Sequence, residues 1–205
     1  MITETPVSLV VTMARTVSTM RPLGAPAPNF VLPDPRGDII SLERFAGAPA
    51  LVVMFICNHC PYVKHLKPAL GAFSRDYQPK RVAMVGINSN DASEFPDDAP
   101  ERMVEDVATF DYRFPYLVDG TQDVAKTYRA ACTPDFFLFD ADRRLAYRGQ
   151  FDASRPGNDV PVTGVDLRAA VDAVLAGTPV AEPQIPSLGC NIKWKPDTAP
   201  DYFAG

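Results

Sequence analysis

Short, unbroken apolar runs between polar turns predict buried strands along this chain. Seven apolar residues follow one another in the run 50–56, which Gly47 and Pro49 bound. Similar runs with the same type of boundary recur twice further along the chain, at 81–87 and 136–140. A run without alternating polar positions is typical of a strand that is covered on both faces. The three runs therefore predict the central strands of one sheet.

Helical periodicity fills the intervals between these strands. After Pro61 the apolar residues recur three or four positions apart, which predicts a helix that extends to about Tyr77. Pro61 suits the first helical turn, where its missing N–H group would have no partner. Further helices are predicted at 100–110, at 121–129 with Thr121 as N-cap, and at 166–175.

Two hairpins and two flanking segments complete the predicted organisation. Extended segments around a Pro-Arg-Gly-Asp turn predict an N-terminal hairpin within 23–48, and 144–148 is expected to pair with the strand before it. Strands that alternate with helices indicate an α/β fold whose sheet is covered on both faces. We expect an N-terminal arm at 1–22, one domain at 23–180, and a Pro-rich tail at 181–205 that packs on the domain.

Composition narrows the classes of protein to which the chain can belong. Its 205 residues are 46% apolar, enough for a globular domain with a sizeable core. A net charge of −5 without a basic cluster argues against a nucleic-acid partner. No apolar run is long enough to span a membrane, and the segment 7–14 lacks the basic start of a secretory signal. We therefore expect a cytoplasmic protein with neither a nucleic-acid nor a membrane partner.

A pair of cysteines at the predicted strand-to-helix turn is the main candidate for chemistry. Cys57 and Cys60 are separated by Asn58 and His59, and Pro61 follows. The partial positive charge at a helix N-terminus stabilises a thiolate, so cysteines in such pairs have lowered pKa values. A protonated His59 would stabilise the Cys57 thiolate further and make the disulfide a stronger oxidant. We expect Cys57 to be the reactive thiol and Cys60 the buried resolving thiol.

Metal binding is the structural alternative for the same two cysteines. A structural zinc site needs four ligands, usually supplied as two pairs, and the chain has no second C-x-x-C or H-x-x-H pair. Four cysteines in a chain of this size do not indicate a disulfide scaffold, and in a reducing compartment a C-x-x-C pair is expected to be catalytic or metal-binding. Because a second pair of ligands is lacking, no metal is expected. Cys190, in the Pro-rich tail, is interpreted as a free thiol.

The order of these parts resembles the thioredoxin-like superfamily, in its AhpC/TSA and TlpA-type branch and the peroxiredoxin-like group. The resemblance covers about 22–180 and rests on the Gly-Ala-Pro-Ala-Pro-Asn-Phe segment at 24–30, the turn 57–61, and Thr133-Pro134 before a strand. It implies a thioredoxin-like fold with a central mixed sheet flanked by helices and extended by an N-terminal β-hairpin. It also implies a cis Pro134, a Thr133 backbone that helps to dock a thiol substrate, and a Cys132 close to the cysteine pair.

Two departures from the family pattern bear on mechanism. Thioredoxins carry Trp before the first cysteine and a buried acid in the central strand, whereas this chain has Ile56 and no acid in 50–56. The group that deprotonates Cys60 is therefore open. Peroxiredoxins place Thr three residues before the peroxidatic cysteine, and Cys57 occupies that position if Cys60 is aligned with it.

The favoured hypothesis is a thiol–disulfide oxidoreductase that works through a mixed disulfide on Cys57. It needs no organic cofactor; its partners would be protein or small-molecule disulfides and an upstream dithiol reductant. Two alternatives stay open. One is a thiol peroxidase that reduces peroxide through a sulfenic acid. The other is a non-enzymatic scaffold that binds a metal or a partner.

Overall fold

A computed structural model describes residues 15–203 of the protein. Within these residues the chain forms ten strands and four α-helices. In chain order the strands are β1 (Arg15–Val17), β2 (Val31–Pro33), β3 (Ile39–Ser41), β4 (Leu51–Phe55), β5 (Ala83–Asn88), β6 (Tyr116–Val118), β7 (Cys132–Thr133), β8 (Asp135–Phe139), β9 (Leu145–Gly149) and β10 (Leu188–Asn191). The helices are α1 (Pro61–Tyr77), α2 (Pro100–Thr109), α3 (Asp123–Tyr128) and α4 (Val165–Leu175). The apolar segment 7–14, considered above for a secretory signal, lies outside the described residues.

A mixed five-stranded sheet, in the order β6–β5–β4–β8–β9, forms the centre of the fold. The strand β4 runs parallel to β5 and antiparallel to β8. All five residues of β4 are fully buried, as its unbroken apolar sequence predicts for a strand covered on both faces. The parallel connections β4–β5 and β5–β6 are bridged by α1 and α2, because parallel neighbours need a crossover.

Alternating side chains of β4 enter two separate hydrophobic cores. Val52 and Met54 pack in one core with Leu70 and Phe73 of α1. The neighbouring β4 positions face the second core, on the other side of the sheet, which contains Tyr128. Cys57 and Cys60 belong to the first core, so the cysteine pair is anchored in the layer between the sheet and α1.

The predicted elements agree closely with the observed ones. The three central strands, the hairpin β2–β3, the pairing of β9 with β8, and the helices α1, α2 and α4 are confirmed within a few residues at each end. The N-cap of α3 was predicted wrongly: Gln122 precedes this helix rather than Thr121. The reason is Asp119, whose carboxylate accepts the N–H groups of Val124 and Ala125 and so satisfies the first helical turn.

The C-terminal tail forms part of a second sheet. The strand β10 lies between β1 and β7 in an antiparallel three-stranded sheet, with Cys190 opposite Thr133. This sheet lies at the cysteine turn and holds the two ends of the described chain together. Among residues 15–203, no helix has the length and apolar character that crossing a membrane requires.

Candidate active site

The loop between β4 and α1 carries both cysteines of the predicted pair. β4 ends at Phe55, and Cys60 is the N-cap of α1, where its carbonyl accepts the N–H of Lys64 at 2.8 Å. Pro61 is the first helical residue, so the predicted position of Cys60 just before the first turn is confirmed. Cys57 lies one turn earlier in the loop, and both side chains are buried.

The sulfur atoms of Cys57 and Cys60 both contact Thr133. Its hydroxyl lies 3.3 Å from Cys57 Sγ, and its carbonyl oxygen lies 3.2 Å from Cys60 Sγ. The peptide bond between Thr133 and Pro134 is cis, which confirms the isomer that the family resemblance implied. A residue 76 positions from Cys57 thus becomes the common partner of both thiols.

Cys190 is a third thiol in the same cluster; it is free, as interpreted from the sequence, but it lies within the site, a position that the sequence did not indicate. Its Sγ lies 2.7 Å from Cys60 Sγ, because β10 pairs with β7 beside the cysteine turn. Sequence spacing could not have revealed this contact, since 130 positions separate the two residues. The tail is a structural part of the site rather than a segment that only covers the domain.

Cys132 does not join this cluster, although it precedes Thr133. Side chains alternate along a strand, so Cys132 points away from the side on which Thr133 meets the cysteine pair. Its Sγ lies 3.6 Å from the carbonyl oxygen of Pro134. Burial is the main cause that raises the pKa of the Cys132 thiol, which keeps it protonated.

His59 contacts a carboxylate that the sequence analysis did not identify. Its Nδ1 lies 2.5 Å from Asp98 Oδ2, and its ring stacks on Phe95. The expectation that an unpaired imidazolium stabilises the Cys57 thiolate must therefore be corrected. Asp98 compensates any positive charge on His59, and the charge of Asp98 is itself one of the causes that raise the pKa of Cys57.

Asp98 also holds the backbone of the cysteine loop. Its Oδ1 accepts the N–H of Asn58 at 2.6 Å and that of His59 at 3.3 Å, and Asn90 donates to Oδ2 at 2.8 Å. Burial opposes ionisation of this carboxyl, but the His59, Asn90 and Asn58 hydrogen bonds outweigh it and lower its pKa. Asp98 follows a stretch of mostly polar residues in the sequence, and no motif marks it.

Buried polar contacts fix the Asn58 side of the loop. Tyr116 donates its hydroxyl to Asn58 Oδ1 at 3.0 Å, and Lys67 donates its amine to the Asn58 carbonyl at 3.2 Å. The same amine lies 2.5 Å from Asp106, in an ion pair that is itself largely buried. The loop that carries the two thiols is therefore held by groups from α1, α2 and β6, as a preorganised site requires.

Burial and contacts with neighbouring sulfurs shift the pKa values of Cys57 and Cys60 in opposite directions. Burial is the largest cause that raises the pKa of Cys57, and the adjacent Cys60 adds to it. Burial opposes the Cys60 thiolate as well, but hydrogen bonds from Cys190 and Cys57 and the N–H of Val63 outweigh it and lower the pKa of Cys60. The prediction of a lowered pKa at Cys57 is thus wrong, because Cys60 is the cysteine at the helix N-terminus.

A buried acid does lie beside the central strand, but on its neighbour. Asp135 of β8 pairs in register with Phe55 of β4 and is fully buried. Burial raises the pKa of its carboxyl well above the usual range. It alternates with Phe136, so it faces the second core rather than the layer that contains Cys57 and Cys60.

One group of possible metal ligands occurs among the described residues. Ligand atoms of Cys57, His59 and Asp98 all lie within 4.8 Å of one another. A structural zinc site takes four ligands, and the Nδ1 of His59 is already engaged with Asp98. The set is one donor short of a structural zinc site, and His59 Nε2 is the imidazole nitrogen that has no hydrogen-bond partner.

The cysteine pair is closed to solvent in this conformation. Cys57 is 1% exposed and Cys60 is 0% exposed. A shallow cleft on the side of the cis-proline is bordered by Tyr62, Pro134, Arg155 and Leu188, among others. Through Leu188, the tail strand forms one wall of this cleft.

Comparison with known proteins extends these observations. The profile of the AhpC/TSA family matches residues 23–148. The thiol-disulfide oxidoreductase ResA of Bacillus thuringiensis is 28% identical over 129 residues, which are 60% of this chain and 66% of ResA. The chain thus matches just under two thirds of the length of that curated relative.

Solved structures show the same fold. The crystal structure of a hypothetical protein from Sinorhizobium meliloti is 54% identical, with a TM-score of 0.87 over 88% of this chain and 99% of that one. The thioredoxin domain of a thiol-disulfide oxidoreductase from Bacteroides vulgatus is 18% identical, with a TM-score of 0.52 over 62% of this chain and 87% of that one. The fold is therefore thioredoxin-like, as the resemblance implied, and because the family match covers more than half of the residues, the chain belongs to the AhpC/TSA family.

Proposed function

We propose that this protein is a thiol–disulfide oxidoreductase in which Cys57 and Cys60 alternate between a dithiol and a disulfide. The observation that carries the proposal is the convergence of both sulfurs on Thr133, at 3.3 Å and 3.2 Å, next to the cis-proline. Family membership and the name of ResA support the same class of chemistry.

The reaction begins with the Cys57 thiol. In the reduced protein the negative charge of the pair resides on Cys60, so the proton of Cys57 passes to Cys60 as Cys57 attacks a substrate disulfide. A bond forms between Cys57 Sγ and one substrate sulfur, and the other substrate sulfur leaves as a thiolate. The hydroxyl of Thr133 favours the Cys57 thiolate during this attack.

Cys60 completes the reaction. The departing substrate thiolate takes the proton from Cys60, and the Cys60 thiolate attacks Cys57 Sγ. The Cys57–Cys60 disulfide forms, the bond to the substrate breaks, and the second substrate sulfur leaves as a thiolate. The protein loses two electrons and the substrate disulfide gains them. An external dithiol then reduces the protein, which fits the reducing compartment, the cytoplasm, that we propose for it.

Substrate size follows from the closed geometry. In thioredoxin-like proteins the residue before the cis-proline helps to dock a substrate through its backbone, but here β10 pairs with Thr133. Cys60 Sγ contacts both Cys190 Sγ and the Thr133 carbonyl oxygen, whereas Cys57 Sγ contacts the Thr133 hydroxyl. We therefore propose small-molecule disulfides as the first substrates, with protein disulfides reacting more slowly until the tail moves.

One observation favours a second candidate, a thiol peroxidase. The cysteine with the lowered pKa is Cys60, and Cys60 is the residue that aligns with the peroxidatic cysteine of peroxiredoxins when Cys57 takes the Thr position. Against it, Cys60 is 0% exposed and its sulfur is enclosed by groups of the chain itself.

Paired cysteine variants test the proposal. The reduced protein should reduce hydroxyethyl disulfide, Cys57→Ser should abolish this activity, and Cys60→Ser should accumulate a mixed disulfide on Cys57 that mass spectrometry detects. The same three proteins are assayed for consumption of hydrogen peroxide. Rapid peroxide turnover that survives in Cys57→Ser and is lost in Cys60→Ser would overturn the reductase proposal in favour of the peroxidase.

A further inference from the structure

The C-terminal strand β10 places the thiol of Cys190 next to the resolving cysteine, Cys60. Cys190 Sγ lies 2.7 Å from Cys60 Sγ, compared with a covalent S–S distance of about 2.05 Å, and both cysteines are free. Cys60 therefore has a potential disulfide partner on each side: Cys57 in its own loop and Cys190 in the tail. The proposed function uses Cys57 and Cys60 and leaves Cys190 without a role.

Hydrogen bonds on both sides of Cys190 hold it in place. On its N-terminal side, the Ser187 hydroxyl donates to the Gly149 carbonyl at 2.6 Å. On its C-terminal side, the N–H of Ile192 donates to the Ala131 carbonyl at 3.1 Å. The first contact fixes the residue before β10 to the end of β9, and the second fixes the residue after β10 to the residue before β7, so the sulfur contact results from strand pairing and not from a loosely placed side chain.

Gly189 allows this close approach. A Cβ atom at this position would lie 2.0 Å from the carbonyl oxygen of Thr133, the same oxygen that Cys60 contacts. Any residue with a side chain would push β10 away from β7 and separate Cys190 from Cys60. The glycine is thus a steric condition for the three-sulfur cluster.

The alternative is that Cys190 is simply a small buried hydrophobic residue. Cys132 shows what such a cysteine looks like in this protein, because it is equally buried and its Sγ has a carbonyl oxygen as its partner. Cys190 differs in that its partner is the sulfur of a cysteine in the candidate active site. Packing requires no such contact, whereas disulfide exchange does.

We propose that Cys190 is a third redox-active thiol, which attacks Cys60 in the oxidised protein and moves the disulfide from Cys57–Cys60 to Cys60–Cys190. The bond between Cys60 and Cys190 forms, the bond between Cys57 and Cys60 breaks, and Cys57 leaves as a thiolate. The proton that Cys190 gives up is taken by Cys57, and no external oxidant or reductant takes part. The proposal rests on the proposed function for the origin of the first disulfide.

Electrostatics favours this exchange after oxidation. In the reduced protein, the hydrogen bond to Cys60 is the largest cause that raises the pKa of Cys190, followed by burial, while Lys193 lowers it. Once Cys60 is part of a disulfide it carries no negative charge, so the largest of these causes disappears. Cys190 then becomes easier to deprotonate when its target sulfur becomes electrophilic.

The exchange gives the reaction a direction. A dithiol product could reverse the reaction by attacking the Cys57–Cys60 disulfide. After transfer, the disulfide lies between Cys60 and Cys190, and Cys57, the thiol assigned to attack on the substrate, is again a thiol; all three sulfurs are buried. The product no longer meets a disulfide at Cys57, so the reverse reaction slows.

Tryptic mapping of the oxidised protein distinguishes the two disulfides. Cys57 and Cys60 fall in one peptide, 45–64, and Cys190 falls in another, 169–193. A Cys57–Cys60 disulfide stays within the first peptide, whereas Cys60–Cys190 links the two. The reduced protein is treated with one equivalent of diamide, samples are alkylated at intervals, and the peptides are sequenced by mass spectrometry.

We expect the internal disulfide of 45–64 to form first and then to give way to the linked peptides, with the alkyl group on Cys57. Cys190→Ser should stop at the internal disulfide, and Cys132→Ser should give the same linked peptides as the wild type. Persistence of the internal disulfide in the wild type, or a link to peptide 130–143, which carries Cys132, would overturn the proposal.

A kinetic measurement separates this proposal from the proposed function. If Cys190 takes over the disulfide, reduction of hydroxyethyl disulfide should reverse more readily in Cys190→Ser than in the wild type when product thiol is added. Equal reversal in both proteins contradicts the role of Cys190 and leaves the reductase intact. Failure of both proteins to reduce the disulfide contradicts the proposed function. The diamide experiment still decides whether Cys190 links to Cys60. Circular dichroism of each variant verifies its fold.

Discussion

Asp98 and His59 are in contact beside the cysteine loop, with 2.5 Å between Oδ2 and Nδ1. The negative charge of Asp98 raises the pKa of Cys57, and His59 compensates part of that charge. The histidine between the two cysteines therefore affects the thiols through Asp98, and both residues act as positioning residues.

Opposite shifts at Cys57 are expected from the two members of this pair. Asp98→Asn removes the negative charge and should lower the pKa of Cys57, whereas His59→Ala leaves the carboxylate uncompensated and should raise it. The pH dependence of iodoacetamide labelling, mapped to Cys57, measures both shifts. Each variant should lose about 1–3 kcal/mol of stability, because a buried hydrogen-bond partner is left unpaired. If both variants shift the pKa of Cys57 in the same direction, the charge coupling is contradicted.

The buried carboxyl of Asp135 should make stability depend on pH. Its pKa in the folded protein is raised, so between the unfolded pKa of about 3.9 and the folded value the native state binds more protons than the unfolded state. Stability attributable to this group is therefore present below about pH 4 and falls as the pH rises through the folded pKa. Asp135→Asn should be more stable than the wild type at pH 8 and differ little at pH 4. Urea unfolding at the two pH values measures this difference, and a variant destabilised equally at both would contradict the prediction.

Gly189 and Gly120 provide a matched pair of substitutions. Gly189→Ala places a Cβ 2.0 Å from the Thr133 carbonyl oxygen and should cost about 1–3 kcal/mol of stability, as overpacking does. In Gly120→Ala the added Cβ meets nothing within 4 Å, so stability should change little. Thermal or urea unfolding measures both. A Gly189→Ala variant as stable as Gly120→Ala would show that β10 can move away from β7 without penalty.

Local sequence patterns were enough to predict most of the fold. The unbroken apolar run of β4 predicted a strand buried on both faces, and the spacing after Pro61 predicted α1 to its last residue. These elements depend on interactions between residues close in sequence, and the spacing of apolar residues reflects those interactions. The position of Cys60 at the helix start follows from the same local information, and so does the C-x-x-C spacing itself.

The pKa values of the cysteine pair and the position of Cys190 in the site depend on contacts between residues far apart in sequence, which no local pattern predicts. Cys190 reaches Cys60 across 130 positions through the pairing of β10 with β7, and Asp98 reaches His59 across 39 positions from a loop without periodicity. Sequence determined which residues carry the thiols and which elements hold them. Only the tertiary structure decided which charges and sulfurs surround each thiol, because those distances are set by strand pairing and packing between distant segments.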